Sequence, residues 1–525
     1  MDSLEDSAAD KALVRARNPV DALDGTIMAD APLIAVPAPV AGSTDRLSNP
    51  APYTHDIIRV DNLHLDIDLK GTPLNIIRGA SFRIPAGRTV ALVGESGSGK
   101  SIISQAILGI LPKVASIKSG SIWWREKQGD EPLDLARLMD SSPERVKLRG
   151  GKMSIIFQEP MTSLSPLHTI GNQIAEALEL HRDIKGDEIK TTVVEMLRLV
   201  GFPNPPAAWS MYPMELSGGL RQRAMIAMAL VCNPALLVAD EPTTALDVSM
   251  QAKILSLLNG LQAKLGMAVL LITHDLGVVA NMADEVVVMY HGQIMEAGPR
   301  EAIFRNPQHD YLKALLHAVP DLSMGYDAKL ESLRDIELEI PASMAAVARE
   351  RHVHDDEALL QVRGLTKTFI TKKSKGWTSF SRQKHVVHAV DDVNFDVRRG
   401  ECFGLVGESG CGKTTTLKMI VRALTPTEGS IEWLEQDRKT NLATLEGKDL
   451  KAFRRRMQMV FQDPFSSLSP RQTVLSILRE PMEVHAMGTD REHREYAAEL
   501  MRLVGLQPTY LGRYPHSFSG GQRQR

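Results

Sequence analysis

The sequence predicts an α/β fold laid down twice in tandem, and three observations carry that expectation. A glycine-rich loop occurs as Gly94-Glu95-Ser96-Gly97-Ser98-Gly99-Lys100-Ser101 and again as Gly407-Glu408-Ser409-Gly410-Cys411-Gly412-Lys413-Thr414. The block from Phe157 to Pro166 returns as Phe461 to Pro470 with seven of ten positions identical, and Arg198-Leu199-Val200-Gly201 returns as Arg502-Leu503-Val504-Gly505. Two short apolar runs, Leu236 to Ala239 and Ala268 to Ile272, end in polar residues, as strands buried on both faces of a parallel sheet do. The copies stand about 300 residues apart, the length of a domain rather than of a solenoid repeat.

Along the chain, residues 1–55 are rich in Ala, Pro, Asp and Ser, with Pro32, Pro37, Pro39 and Pro50 interrupting any period, so a disordered leader is expected. The first residues are acidic where a secretory signal is basic, and no apolar core follows, so no export signal is read. Order is expected from Ile57, where Val60, Leu63, Leu65 and Ile67 mark a strand that leads through Ser81-Phe82-Arg83-Ile84 to the first loop. Between the copies, Asp321 to Asp356 carries mixed charge, Gly325, Pro341 and no sustained heptad, which reads as a linker.

Both loops fit G-x-x-x-x-G-K-[ST], a pattern that one chain of this length meets by accident with a chance of roughly 2% at average residue usage. The apolar run Val90 to Val93 precedes the first copy, and Ile103, Ile107 and Ile110 follow it at helical spacing, so the strand-loop-helix context is present. In that context successive backbone N–H groups turn inward at a helix N-terminus and favour an anion. Gly94, Ser96, Gly97, Ser98 and Gly99, and Gly407, Ser409, Gly410, Cys411 and Gly412, are the expected phosphate cradles, with Lys100 and Lys413 supplying charge to the β/γ-phosphates. Ser101 and Thr414 each offer a hydroxyl to Mg2+. Cys411 reads either as a thiol whose thiolate the loop favours or as a small tolerated side chain.

The run ending in Asp240 and Glu241 places two carboxylates at the C-terminal edge of a buried strand, where nucleotides sit in such sheets. Asp240 is expected to hold Mg2+ through its water shell, and Glu241 to orient or deprotonate an attacking water. Taken singly, two acids there are more often a solvated strand end. His274, after the second run, would by itself be structural.

Composition excludes several classes. With 61 Lys+Arg against 64 Asp+Glu the formal net charge is −3, so no basic field exists to hold nucleic acid. Three cysteines without a C-x-x-C pair exclude a four-cysteine metal site made by this chain alone, and fit a reducing compartment. The most apolar window, Ala224 to Ala239, is broken by Asn233-Pro234, short of the ~18 apolar residues of a membrane span.

The ordered set of phosphate loop, Gln158, Leu216-Ser217-Gly218-Gly219, acidic strand with Glu241, Ala245-Leu246-Asp247 and His274 resembles the nucleotide-binding subunits of ATP-binding cassette (ABC) transporters. The resemblance implies two tandem P-loop NTPase cassettes, each a RecA-like core with an antiparallel β subdomain and a helical subdomain. It implies ATP and Mg2+ as ligands, with Ser101, Gln158 and Asp240 around Mg2+ in the first cassette and Thr414 and Gln462 in the second. It further implies head-to-tail pairing of the cassettes, in which Ser519, Gly520 and Gly521 complete the first site and Ser217, Gly218 and Gly219 the second. Glu241 and His274 would be catalytic, His274 at the γ-phosphate. Two departures stand out: Leu220 where the family often has a glutamine, and Leu74-Asn75-Ile76-Ile77 without an aromatic for the adenine.

A finer resemblance is to the fused ATPases of bacterial dipeptide, oligopeptide and glutathione importers, through Phe157 to Pro166, Glu241 to Val248, and Asn306-Pro307-Gln308-His309-Asp310-Tyr311-Leu312. The expected domains are then a leader (1–55), a first cassette (56–300), an importer-type extension (301–325), a linker (326–356) and a second cassette (357–525). The second cassette is expected to be C-terminally incomplete, because the positions matching Asp240 and His274 fall beyond Arg525, leaving a site that binds nucleotide without hydrolysing it. The implied partners are two transmembrane permease subunits and, through them, a solute-binding protein, at the cytoplasmic face of the plasma (inner) membrane. The permeases are expected to dock near Gln158 and the region from Ile170 to Tyr212. The alternative is a soluble tandem cassette protein working on ribosomes or nucleic acid; a long charged helical linker or inserted zinc-binding cysteines would mark it, and the sequence has neither.

Overall fold

A computed structural model of the chain describes residues 55–69, 72–95, 97–157, 163–243, 246–319, 358–372, 384–435, 438–462, 467–518 and 520–525. The expected leader and linker lie outside the described residues, as do Ser96, Gln158 and Ser519. The chain divides into two compact units, whose described parts are 55–319 and 358–525.

The first unit opens with two long strands, β1 (Asp56–Leu69) and β2 (Thr72–Pro85). With β4 (Ala115–Trp124) and β5 (Leu133–Asp134) they form an antiparallel sheet in the order β2-β1-β4-β5. The expected alternation in β1 shifts phase between Val60 and Leu63 because Asn62 adopts a φ of 46° and the register slips there, a bulge that returns Leu63 and Leu65 to the buried face.

The second sheet holds β3 (Thr89–Val93), β6 (Met153–Ile156), β7 (Leu236–Asp240), β8 (Ala268–Thr273), β9 (Glu285–Tyr290) and β10 (Gln293–Pro299), in the order β10-β9-β3-β8-β7-β6. Every neighbouring pair is parallel except β9 with β10. Both faces are buried: Val90, Leu92, Val238 and Leu270 face a core shared with the antiparallel sheet, while Ala91, Val93, Ala239 and Leu271 face a helical core. That double burial is why these strands read as unbroken apolar runs.

The helices around this sheet include α1 (Lys100–Leu108), α2 (Pro143–Leu148), α3 (Ile170–His181), α4 (Asp187–Leu199), α5 (Gly218–Leu230), α6 (Val248–Leu265), α7 (Leu276–Met282), α8 (Arg300–Arg305) and α9 (Asp310–His317). The helical period expected through Ile110 stops earlier, since Gly109 takes the left-handed conformation (φ 69°) and caps α1, leaving Ile110 beyond it. The Arg145 guanidinium, 2% exposed, donates to Ala106 O at the C-terminal end of α1 (2.6 Å) and to Leu135 O (2.9 Å), placing a cation where the helix dipole is negative. No helix among the described residues is long and apolar enough to cross a membrane.

The second unit contains β11 (Ala358–Lys372), β12 (Lys384–Arg398), β13 (Glu428–Glu435) and β14 (Arg438–Asn441), an antiparallel sheet in the order β12-β11-β13-β14 that repeats the first unit's β2-β1-β4-β5. Its helices include α10 (Lys413–Ile420), α11 (Val474–Val484), α12 (Asp490–Leu503) and α13 (Gly520–Gln524). Among its described residues no parallel core sheet forms. The stretch matching β3, which includes Val406, has no strand partner, and Val406 is 92% exposed where Val93 is fully buried. The physical reason is that β3 is held by β8 and β9, and the described second unit offers no counterpart of either.

Candidate nucleotide site

The first site is assembled at the C-terminal ends of β3, β7 and β8, which deliver the phosphate loop, the two carboxylates and the histidine to one edge of the sheet. Gly94 leaves β3 with φ 149°, and a Cβ there would lie 2.1 Å from Met289 O of β9, so only glycine lets the loop start against its neighbouring strand. Lys100, the first residue of α1, is 6% exposed, and its Nζ donates to Gly94 O and Glu95 O (2.8 Å each) and to Ser98 Oγ (3.3 Å). Burial pushes its ammonium below the usual range, opposed by the charges of Glu241, Asp240 and Glu95.

Ser101 Oγ donates to Asp240 Oδ1 at 3.3 Å. Burial holds the Asp240 carboxyl above its usual value, and the Ser101 hydrogen bond works against that rise. A hydroxyl and a half-buried carboxylate offer the oxygen ligands that a small hard cation prefers, so this pair fits Mg2+. Glu241 carries a φ of 47°, unusual for a residue with a side chain, while its N–H donates to Ile272 O of β8 at 2.8 Å. This bend turns the residue after β7 toward β8. Its Oε1 lies 3.0 Å from His274 Nδ1, and that hydrogen bond holds the His274 imidazole above its ordinary pKa.

Lys100, Ser101, Asp240, Glu241 and His274 lie together at this edge, although they come from three separate stretches of chain. Ser217 caps α5, its Oγ accepting from Leu220 N (3.4 Å), and Gly218 and Gly219 open that helix. Gly219 packs against α6, where a Cβ would lie 2.8 Å from the end of the Met250 side chain. No hydrogen bond among the described residues joins this turn to the phosphate loop of its own unit. The link from α5 toward the carboxylates runs instead through Gln222, 2% exposed, which donates to Pro242 O.

Sequence reasoning missed Gln222 and also Tyr311. The Tyr311 hydroxyl on α9 accepts from Glu95 N–H of the phosphate loop (3.3 Å), and its ring lies 4.3 Å from that of Tyr290. The extension after the cassette thus touches the phosphate loop. Of the adenine stretch, Ile77 is buried beneath Gly99, whereas Leu74 is 47% exposed.

In the second unit Lys413 Nζ donates to Gly407 O (2.6 Å) and Glu408 O (2.7 Å) and lies 3.6 Å from Cys411 Sγ. Thr414, Gln462 and Ser409 are exposed, and Gly520 and Gly521 open α13. The phosphate loop is therefore formed there without an acidic strand or histidine beside it among the described residues.

The ABC transporter family profile matches residues 77–244 and 390–525, and that of the oligopeptide/dipeptide transporter C-terminal region matches 295–343. The glutathione import ATP-binding protein GsiA of Salmonella typhimurium (strain LT2) is 42% identical over 474 residues, covering 90% of this chain and 74% of that protein. GsiA of Escherichia coli (strain K12) is 41% identical over the same length. Among solved structures, the dimeric post-hydrolysis state of the ATP-binding cassette MJ0796 bound to ADP and Pi is 26% identical, covering 46% of this chain and 98% of its own, with a TM-score of 0.41. With two cassette matches over more than half its length, and relatives above 40% identity over most of it, the chain belongs to the ABC transporter family as an ATP-hydrolysing subunit carrying the oligopeptide/dipeptide transporter C-terminal region.

Proposed function

We propose that the chain powers the import of short peptides or related small solutes, glutathione among them, from the cytoplasmic face of the plasma (inner) membrane. The observation that carries the solute class is the extension: its match to the oligopeptide/dipeptide transporter region begins at residue 295, and its Tyr311 is bonded to the phosphate loop. The partners are two transmembrane permease subunits and, through them, a solute-binding protein; nucleic acid is not among them.

In this reading Lys100 and the loop N–H groups bind the β/γ-phosphates, and Glu241 accepts a proton from, or orients, the water that attacks the γ-phosphate. His274, whose Nδ1 already meets Glu241, adds a contact to the γ-phosphate and keeps that carboxylate in one position. Mg2+ bound by the Ser101 hydroxyl and, through water, the Asp240 carboxylate, with Gln158 expected beside them, would neutralise phosphate charge. Ser217 to Gly219 and Ser519 to Gly521 are the expected signature turns, each serving the nucleotide of the opposite cassette, a proposal that rests on the family resemblance. Gly407, Ser409, Gly410, Cys411, Gly412, Lys413 and Thr414 form the second phosphate cradle, with Gln462 toward its metal.

The test is reconstitution with candidate permease subunits from the same organism, in liposomes, with their solute-binding protein outside. ATP turnover should rise several-fold when that protein is loaded with a di- or tripeptide or glutathione, and chelating Mg2+ with EDTA should stop it. Turnover that ignores the loaded binding protein but responds to ribosomes or nucleic acid would reject the importer reading.

A further inference from the structure

One peptide group of the phosphate loop is held from both ends. The carbonyl of the group joining Gly94 to Glu95 accepts from Lys100 Nζ (2.8 Å), and its N–H donates to the Tyr311 hydroxyl on α9 (3.3 Å). Because a trans peptide points its C=O and N–H in opposite directions, the two bonds act on one plane from opposite edges and fix its rotation. On the Gly94 side that plane is confined by β9, since a Cβ there would meet Met289 O. The group that grips the N–H comes from the extension, and the extension is itself tied to the cassette. The Glu296 carboxylate of β10 accepts from the N–H groups of Gln308 (3.0 Å) and His309 (2.8 Å). His309 Nδ1 accepts from Tyr311 N–H (3.1 Å), and Leu312 is fully buried in the helical core. The Tyr311 ring packs on Tyr290, the residue that follows Met289 on β9. The hydroxyl therefore reaches the loop from a fixed position.

We propose that Tyr311 is a positioning residue for ATP: through the peptide between Gly94 and Glu95 it keeps the Lys100 ammonium over the loop, and it couples ATP binding to the order of the extension. The proposal rests on the loop's being the phosphate cradle and not on the identity of the solute. Lys100 reaches back from α1 to Gly94 O, Glu95 O and Ser98 Oγ, so two of its three acceptors belong to the residues whose backbone Tyr311 holds. A peptide free to turn would swing Gly94 O away from the ammonium, and the arriving nucleotide would then have to order the lysine at a cost in affinity. Prior ordering of that kind strengthens binding of the ground state and the transition state alike, so it is read in KM rather than in kcat. Linkage makes the coupling mutual: whatever Tyr311 adds to ATP binding, bound ATP adds to the docking of α9. Packing on Tyr290 needs only the ring, whereas the bond to the loop needs the hydroxyl, so removing one oxygen separates the two roles.

The experiment compares the full chain with Tyr311→Phe, which keeps the ring against Tyr290. Steady-state ATP hydrolysis gives kcat and KM, and hydrogen exchange over α9, residues 310–317, is followed with and without Mg2+ and a non-hydrolysable ATP analogue. KM for ATP should rise about three- to tenfold, the range expected of one lost hydrogen bond, while kcat changes less than about twofold. In the unmutated chain the analogue should slow exchange in α9, and in Tyr311→Phe that slowing should be lost. Exchange in β3, β7 and β8 at the unmutated rate reports intact folding. An unchanged KM in Tyr311→Phe, or a loss of stability with both kinetic constants unmoved, would overturn this inference and leave the ATPase assignment standing. Failure of the unmutated chain to bind ATP would overturn both.

Discussion

The glycines of the phosphate loop at 94–101 and of the one at 407–414 turn at nearly the same φ, yet the two loops sit in different surroundings. The three glycines have φ of 149°, 82° and 102° in the first and 157°, 84° and 103° in the second. In each, the lysine ammonium bonds the carbonyls of the loop's first two residues. The first loop, however, leaves a strand buried on both faces and stands beside Asp240, Glu241 and His274, whereas the second follows exposed residues that pair with no strand. The difference separates two kinds of encoding. Loop shape is written within eight contiguous residues, while the carboxylate proposed to activate water is brought in by strands about 140 residues further along, and only a folded parallel sheet delivers it.

If that separation holds, hydrolysis depends on the first unit's sheet edge. Glu241→Gln removes a proton acceptor and keeps a side chain of the same shape, so turnover should fall by about 10²–10⁴-fold while ATP binding stays within a few-fold. Steady-state hydrolysis and equilibrium binding of a fluorescent ATP analogue measure the two quantities. Undiminished turnover in the variant would move the chemistry elsewhere and break the comparison.

A second pair of variants tests the surroundings rather than the chemistry. Val93 and Val406 occupy the same place before their loops, one fully buried and the other 92% exposed. Val93→Asp buries an unpaired carboxylate and should destabilise the first unit by about 3 kcal/mol or more, whereas Val406→Asp should stay within about 0.5 kcal/mol. Urea unfolding followed by site-resolved hydrogen exchange separates the units. Equal losses would mean that the stretch before the second loop is paired in solution.

The same division explains what could be read from residue order. Both loops and the runs of β7 and β8 are legible because each is a contiguous pattern of apolar or small residues. The meeting of Lys100, Asp240, Glu241 and His274 was reached through family resemblance, since their spacing in sequence carries no geometric information. Gln222 donating to Pro242 O, Tyr311 accepting from Glu95 N–H, and buried Arg145 at the end of α1 were not legible. Each is a polar residue on a helix that becomes informative only through what tertiary packing sets against it. Glu241 shows the limit most sharply, because its φ of 47° is imposed by the bond from its N–H to Ile272 O on the neighbouring strand.

The smallest effect concerns the histidine that this bend presents to Glu241. The hydrogen bond that His274 Nδ1–H donates to the Glu241 carboxylate favours the imidazolium, so His274 is raised above its ordinary value. For a group raised on folding, the stabilisation is fully present below the unfolded pKa of about 6.5 and is lost as pH rises through the higher folded value. In the nucleotide-free chain, therefore, the His274 ring should titrate by NMR above an ordinary histidine, and Glu241→Gln should bring it down. The contact is half open to water, so the stability change across this window should be small, below that of either variant pair above. A His274 that titrates identically with and without the carboxylate would mean that the two side chains do not meet in solution. The first loop would then differ from the second in its sheet but not in having a preassembled acceptor and histidine.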